Sequence, residues 1–411
     1  MSTDTIDWSS WLVVGGLHHL NATSVPGPAD PLVLVPLAEP VDRYFPGNTV
    51  VVTWDELGKV ELRARTAGGG PVTTATAHGG ELFPAMQPGA ALRDLIADVS
   101  TQDSASAPIV PLFHLSVRPV EGGHEVHVHT QIRFLAEDAC FIRITAQPII
   151  VADVEGLGWL PSAIALHAEQ SVFLNNHQRY YRKCFAGKEL EYKYTLTPPA
   201  DIWTLTTELY RRLRAGDLPG YLMEYRDEFQ AWDYANHLFQ VTDPEPDRGY
   251  VSFIPTTDGK NLVKRKWFAR DSFERRESHT YGVQPADGFA GYVRDELGVS
   301  ATRLPAFRRV RYDVNFESAR TGHVYGIFFD HVSLFDAPDV VLNQCELEYL
   351  RSRTAVEPDE QAVLDELAVI AGWLEVFLRE QGLTDERGYY SKMSFLLDAV
   401  AARPELAEDI R

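Results

Sequence analysis

Glu189-Leu190-Glu191-Tyr192-Lys193-Tyr194 is the stretch from which the rest of this chain can be read. Side chains of a strand point alternately to its two faces, so Glu189, Glu191 and Lys193 project together, while Leu190, Tyr192 and Tyr194 project the other way. One face therefore belongs to a core and the other to a charged surface. Two carboxylates and an ammonium side by side are costly unless charge sits against them, and a divalent cation with a phosphate chain meets that need.

The same alternation recurs downstream. Lys264 and Lys266 share a face, as do Arg309 and Arg311, and as do Arg275 and Glu277; Val263, Trp267, Val310 and Tyr312 lie opposite. Arg265, Arg276 and Arg308 are out of phase and read as surface residues, and Glu277 as a partner for a neighbouring base. Strands are expected over 251–255, 261–268, 273–281, 308–316, 324–330 and 345–351, with Thr256-Thr257-Asp258-Gly259 as a hairpin turn. With the Glu189 strand this makes at least seven, and antiparallel strands in such number close to remove their exposed edges. The charged faces would line the lumen, where several Arg and Lys donors together suit a linear triphosphate. Glu346-Leu347-Glu348 repeats the Glu-x-Glu pattern, and Asp330 ends the apolar run Ile327-Phe328-Phe329. Helices are expected after Pro198-Pro199-Ala200-Asp201, over 359–381 and over 391–402.

Glu-x-Glu-x-Lys on the first strand of a barrel resembles the signature of the CYTH family, the triphosphate tunnel metalloenzymes, over roughly residues 180–400. The resemblance implies that Glu189, Glu191 and Lys193 are catalytic. It implies too that Asp330, Glu346 and Glu348 join Glu189 and Glu191 in holding Mg²⁺ or Mn²⁺, an ion that would neutralise phosphate charge and align a water. Lys264, Lys266, Arg275, Arg309 and Arg311 would bind substrate, with Lys392 in Tyr390-Ser391-Lys392 as a late basic contact. Two departures stand out. Tyr250-Val251-Ser252-Phe253-Ile254 carries no base where relatives carry paired arginines, and Asp233-Tyr234 matches the family's hairpin only loosely.

At 411 residues the chain is long for one domain, and two are expected, 1–170 and 171–411. The fold class expected is α+β: a mainly antiparallel β domain, then a closed antiparallel β-barrel of triphosphate tunnel type with flanking helices. A sandwich or open barrel with one or two short helices, such as 90–99, suits the first domain, whose role is unrecognised. The polar run 100–106 reads as a loop, and the text grows richer in Tyr, Arg and Lys from Gln178. His127 and His129 share a strand face and allow a metal or an anion, but the plainer expectation is an exposed polar face; the pair His18-His19 offers less still.

A formal charge of −20 argues against a general nucleic-acid or membrane surface. Residues 260–311 reverse it locally, with twelve basic side chains against six acidic. Three scattered cysteines, an acidic N-terminus and the lack of a long apolar run point to a reducing, cytoplasmic setting, neither secreted nor membrane-spanning. The oligomeric state stays open, a homodimer included. The function expected is metal-dependent hydrolysis of a triphosphate, inorganic or organic. Alternatives are a class IV adenylyl cyclase, a non-catalytic binder of phosphorylated ligands, and a biosynthetic enzyme using the same tunnel.

Overall fold

The computed structural model describes residues 8–20, 27–38, 47–100, 108–170, 182–224 and 230–410. The loop expected after Ser100 and the compositional change from Gln178 fall mostly outside them. The chain forms two compact units. The first comprises Met1–Arg182 with two later insertions, Ser318–Gly322 and Ser352–Pro358; the second holds the remainder.

The first unit contains β1 (Ser9–Gly16), β2 (Pro31–Leu37), β3 (Thr49–Thr53), β4 (Lys59–Thr66), β5 (Thr73–His78), β6 (Ile109–Val120), β7 (Gly123–Phe134), β8 (Asp138–Arg143) and β9 (Ile149–Val151). They form one antiparallel sheet in the order β3-β8-β7-β6-β1-β2-β4-β5, with β9 on β7. No second sheet faces it among the described residues, so of the sandwich and the open barrel expected, the sandwich is set aside for a single curled antiparallel sheet. Its central strands β1 and β2 are nearly continuous apolar runs because both faces are buried. Leu12, Val14, Val33 and Val35 pack on one face with Leu92 and Leu95 of helix α1 (Ala90–Val99). Val13, Leu32, Leu34 and Leu115 pack on the other with Leu160 and Ala163 of helix α2 (Leu160–Glu169).

This two-sided burial corrects the histidine reading. His114, His127 and His129 are all buried rather than solvated. The His129 Nε2–H donates to the Gly47 carbonyl at 3.0 Å, and burial holds the imidazoles of His129 and His127 down to about 3 and about 4. They are neutral packing groups.

The second unit supplies β10 (Lys188–Thr195), β11 (Tyr221–Met223), β12 (Gln230–Asp243), β13 (Gly249–Pro255), β14 (Asn261–Trp267), β15 (Glu274–Val283), β16 (Ser300–Arg303), β17 (Phe307–Ser318), β18 (His323–Leu334) and β19 (Val341–Ser352). Eight of them close a ring, β17-β18-β19-β10-β15-β14-β13-β12, through the pairing of β12 with β17. Seven of these pairings are antiparallel by register, which forces the eighth, β18 with β19, to be so.

Leu190 and Tyr194, the outer face of β10, pack beneath helix α3 (Ile202–Arg214) and helix α4 (Glu360–Glu380), with Leu205, Leu209, Leu367, Ile370 and Leu374 in the same core. Each helix starts where a short acid accepts from its first turn: Asp201 from the Trp203 N–H at 3.0 Å, and Asp359 from the Gln361 N–H at 2.9 Å. Helix α5 (Lys392–Ala402) packs against Leu238, Phe307, Val332, Leu334 and Leu342. Those residues continue the strand faces that carry Arg309, Asp330 and Glu346, so the lumen wall turns apolar there and α5 covers that end.

Candidate functional site

Register brings the expected charges onto one inner wall. Directly opposite residues of an antiparallel pair share a face, and Glu189 faces Arg275, Glu191 faces Glu348, Lys193 faces Glu346, Lys266 faces Glu277 and Arg311 faces Asp330. β13 contributes Tyr250 and Ser252, paired with Lys266 and Lys264. β12 contributes Tyr234, paired with Arg309.

Near the apolar end, Arg309, Arg311 and Lys392 enclose two buried acids. Arg309 donates to Asp330 at 3.0 and 2.5 Å and to Glu346 at 3.1 Å. Arg311 donates to Asp330 at 2.7 and 3.0 Å and also to Glu346, its guanidinium lying 4.3 Å from the centre of the Phe328 ring. Lys392, the first residue of α5, donates to Asp330 and to the Gln344 side-chain oxygen, both at 2.7 Å, and to Glu346. The α5 cap aims it there: the Ser391 hydroxyl accepts the Ser394 N–H at 3.0 Å, while Asp271 accepts from the Ser391 N–H at 3.0 Å and the Ser394 hydroxyl at 2.7 Å. Lys193 bridges the two parts of the lumen, 2.6 Å from Glu346 and 2.9 Å from Glu191. Burial opposes ionisation of Glu346, but Lys193, Lys392 and Arg311 hold its carboxyl well below the usual range.

The other part is rich in carboxylates. Lys266 donates to both Glu189 oxygens at 2.5 Å and lies 3.6 Å from Glu277. Arg275 pairs with Glu191 and reaches Glu189 at 3.5 Å. Glu348 makes no hydrogen bond or ion pair among the described residues. Burial, then repulsion from Glu189 and Glu277, pushes its carboxyl up to about 8. One oxygen each of Glu189, Glu191 and Glu348 lies within 4.8 Å of the others. Three converging carboxylates, one with no cation of its own, are the donor set that a hard divalent ion requires. Asp330 and Glu346 fall outside this trio, among basic side chains.

One lumen cation is likewise uncommitted. Lys264 is half-buried and has no partner among the described residues. The Nη1 of Arg311 makes no hydrogen bond among them either, although its other nitrogens are engaged.

Outside the lumen, Arg308 forms an exposed pair with Asp233 at 2.8 Å, as a surface residue should. Arg265 departs from that reading. It is 7% exposed, lies against the Trp267 ring and donates to the Asp247 carbonyl at 2.5 Å. Sequence reasoning gave too little weight to Glu277 and missed Tyr234, Ser252, Gln344 and Asp313. Gln344 and Asp313 were within reach, since each stands two residues from a chosen charge on its own strand. Burial raises the Tyr234 phenol to about 12, so it serves the Arg309 Nη1–H as an acceptor at 3.1 Å without ionising.

No family model and no curated protein matches the chain. Among solved structures, HpAC1 from Hippeastrum, described with a dominant triphosphatase activity, shares 15% identity over 52% of this chain and 95% of its own, at a TM-score of 0.30. The S. pombe RNA triphosphatase Pct1, in complex with the Spt5 CTD, shares 14% over 54% and 86%, at 0.21. The di-domain ARO/CYC StfQ of the steffimycin pathway shares 10% over 97% of both chains, at 0.16. At such scores and identities these likenesses carry no weight for the chemistry. No helix among the described residues is long and apolar enough to cross a membrane.

Proposed function

We propose that the barrel is a triphosphate tunnel of the CYTH type, binding a linear triphosphate in its lumen and hydrolysing a phosphoanhydride bond with the aid of a divalent cation. The observation that carries this reading is the trio Glu189, Glu191 and Glu348, the first two buried and the third half-buried, in which Glu348 makes no ion pair among the described residues. Mg²⁺ or Mn²⁺ fits such an all-oxygen set, with Asp330 and Glu346 acting as partners for the bases. When bound, the ion would neutralise phosphate charge and lower the pKa of a coordinated water.

The chain's own residues do the rest by position and charge. Lys264 and the free Arg311 Nη1 offer donors to phosphate oxygens that no lumen acid already claims. Arg309, Lys392 and Lys193 supply the surrounding positive field in a wall sheltered from water, where such charges act more strongly than in bulk solvent. Asp330 and Glu346 hold those bases in place before substrate arrives. Catalysis built this way is positioning and electrostatics, which is what phosphoryl transfer requires.

The division 1–170 and 171–411 is part of the proposal, the reaction belonging to the second domain. All three cysteines are buried, in keeping with the reducing, cytoplasmic setting proposed here.

The test is release of phosphate and pyrophosphate from inorganic triphosphate, ATP and thiamine triphosphate with Mg²⁺ or Mn²⁺, comparing the wild type with Glu191→Gln. Metal-dependent phosphate release that falls by roughly 100-fold or more in the variant is expected. Pyrophosphate with a cyclic nucleotide would turn the reading to a cyclase. Thermal stabilisation by triphosphate without turnover would leave only a binder.

A further inference from the structure

The first unit carries a polar cluster that the barrel chemistry does not use. β1 ends at Gly16, and the single turn Leu17–Leu20 that follows presents His18 and His19 in succession. Asp30 immediately precedes β2, the strand paired antiparallel with β1, so the register Gly15↔Leu32 brings it back beside the two histidines. The His18 and His19 rings lie 4.3 Å apart, centre to centre. The His18 Nε2 is 3.0 Å from an Asp30 oxygen, which also accepts the Gly27 N–H at 2.8 Å. The backbone on either side is anchored: the Leu17 N–H donates to the Pro108 carbonyl at 2.8 Å, and the Asp30 carbonyl accepts from the Ala67 N–H at 2.8 Å.

His19 is 1% exposed, yet neither ring nitrogen has a hydrogen-bond partner among the described residues. His114 shares that state, but of the two only His19 stands with a second imidazole and a carboxylate at ligand distance among those residues. A buried imidazole normally satisfies at least one nitrogen. In the same unit His167 satisfies both, accepting from the Thr130 hydroxyl at 2.8 Å and donating to the Leu20 carbonyl at 3.0 Å. One ligand atom each from His18, His19 and Asp30 lies within 4.8 Å of the others. Donors around a tetrahedral ion with bonds of about 2.0–2.1 Å stand roughly 3.3 Å apart, so small rotamer shifts close the set.

We infer that His18, His19 and Asp30 form a site for one divalent transition-metal ion of the imidazole-seeking class, Zn²⁺ or Co²⁺, distinct in chemistry from the all-carboxylate trio of the barrel. Two imidazoles and a carboxylate suit such ions and suit Mg²⁺ poorly. His18 and Asp30 keep 33% and 25% of their side-chain surface exposed, which gives the ion a way in and leaves room for a bound water. The inference is independent of the tunnel reading.

The test is a Co²⁺ titration of the full chain in excess Mg²⁺, following the visible absorption of four-coordinate cobalt. The wild type and the Glu189→Gln/Glu348→Gln variant are both expected to develop the bands and to saturate with one ion. His18→Ala, altering a partly exposed residue, is expected to fold as the wild type by circular dichroism and to weaken cobalt binding roughly tenfold or more; His19→Ala is expected to abolish it. Absence of bands in the wild type would overturn the inference. So would bands that persist unchanged in His18→Ala, or that vanish in the tunnel variant alone.

Discussion

The sheet of the first unit and the barrel of the second are both antiparallel and of similar strand number, yet they spend strand alternation differently. β1, β2 and β6 are apolar on both faces because α1 covers one and α2 the other. β10 and much of β17 are apolar outward and ionic inward, because closure gives them an inner face lined by the other strands. In the first case the buried imidazoles stay neutral, as His129 does on the Gly47 carbonyl. In the second, polar groups are buried in charged sets whose members hold one another ionised, as Lys193, Lys392 and Arg311 hold Glu346. Stability in one unit should thus rest on packing, and in the other on charge compensation.

Removing one charge from the barrel is expected to have the largest effect on folding. Lys266→Met leaves Glu189 buried beside Glu277 and Glu348 without its hydrogen-bonded cation, only Arg275 remaining at 3.5 Å, and should cost the protein about 3–5 kcal/mol. A cut in the sheet, Leu115→Ala, should cost about 2–5 kcal/mol through a cavity while leaving phosphate release per folded molecule unchanged. Denaturant unfolding of both variants, with activity normalised to folded fraction, checks the pair. Equal loss of specific activity in both would erase the distinction.

Lys264→Met sharpens the comparison inside the barrel itself. Lys264 and Lys266 share a strand face, but Lys266 is hydrogen-bonded to Glu189, whereas Lys264 makes no hydrogen bond or ion pair among the described residues. Loss of Lys264 should leave stability within about 0.5 kcal/mol of wild type. It should weaken triphosphate binding by roughly tenfold or more, as loss of one charged hydrogen bond does. Calorimetric titration beside a melting curve separates the two effects.

The smallest effect concerns pH. In metal-free protein the Glu348 carboxyl stands near 8, raised by burial and by Glu189 and Glu277. An unfolded glutamate releases its proton near pH 4.3. Between those values the folded state holds the proton and the unfolded state does not, so stability should fall as pH rises from about 5 to about 8. Glu348→Gln should flatten that slope, and so should saturating Mg²⁺, by keeping the folded carboxylate ionised throughout that range.

Much of the barrel was legible from local pattern. Alternation alone places Glu189, Glu191, Lys193, Lys264, Lys266, Arg275, Arg309, Arg311, Asp330, Glu346 and Glu348 on one face of their strands, and strand number argues for closure. What stayed hidden depends on partners distant in sequence. β12 is the longest strand, but Gln230–Asp243 mixes polar and apolar residues on both faces, because one end borders the lumen and the other its apolar cap. That α5 covers one end cannot be read from its own helical period. The burial of His114, His127 and His129 follows from neighbouring strands and from groups distant in sequence, such as the Gly47 carbonyl on His129 and the Phe141 ring beside His114, which a strand's own text does not announce. Nor does a His-His pair reveal an aspartate returning beside it from the next strand.

Crystals grown with triphosphate and Mn²⁺, with anomalous scattering measured at the manganese edge, test the central claim most directly. The account predicts a manganese peak bounded by Glu189, Glu191 and Glu348, with phosphate oxygens on Lys264 and Arg311. A lumen without manganese at those three carboxylates, or triphosphate bound outside the barrel, would contradict it.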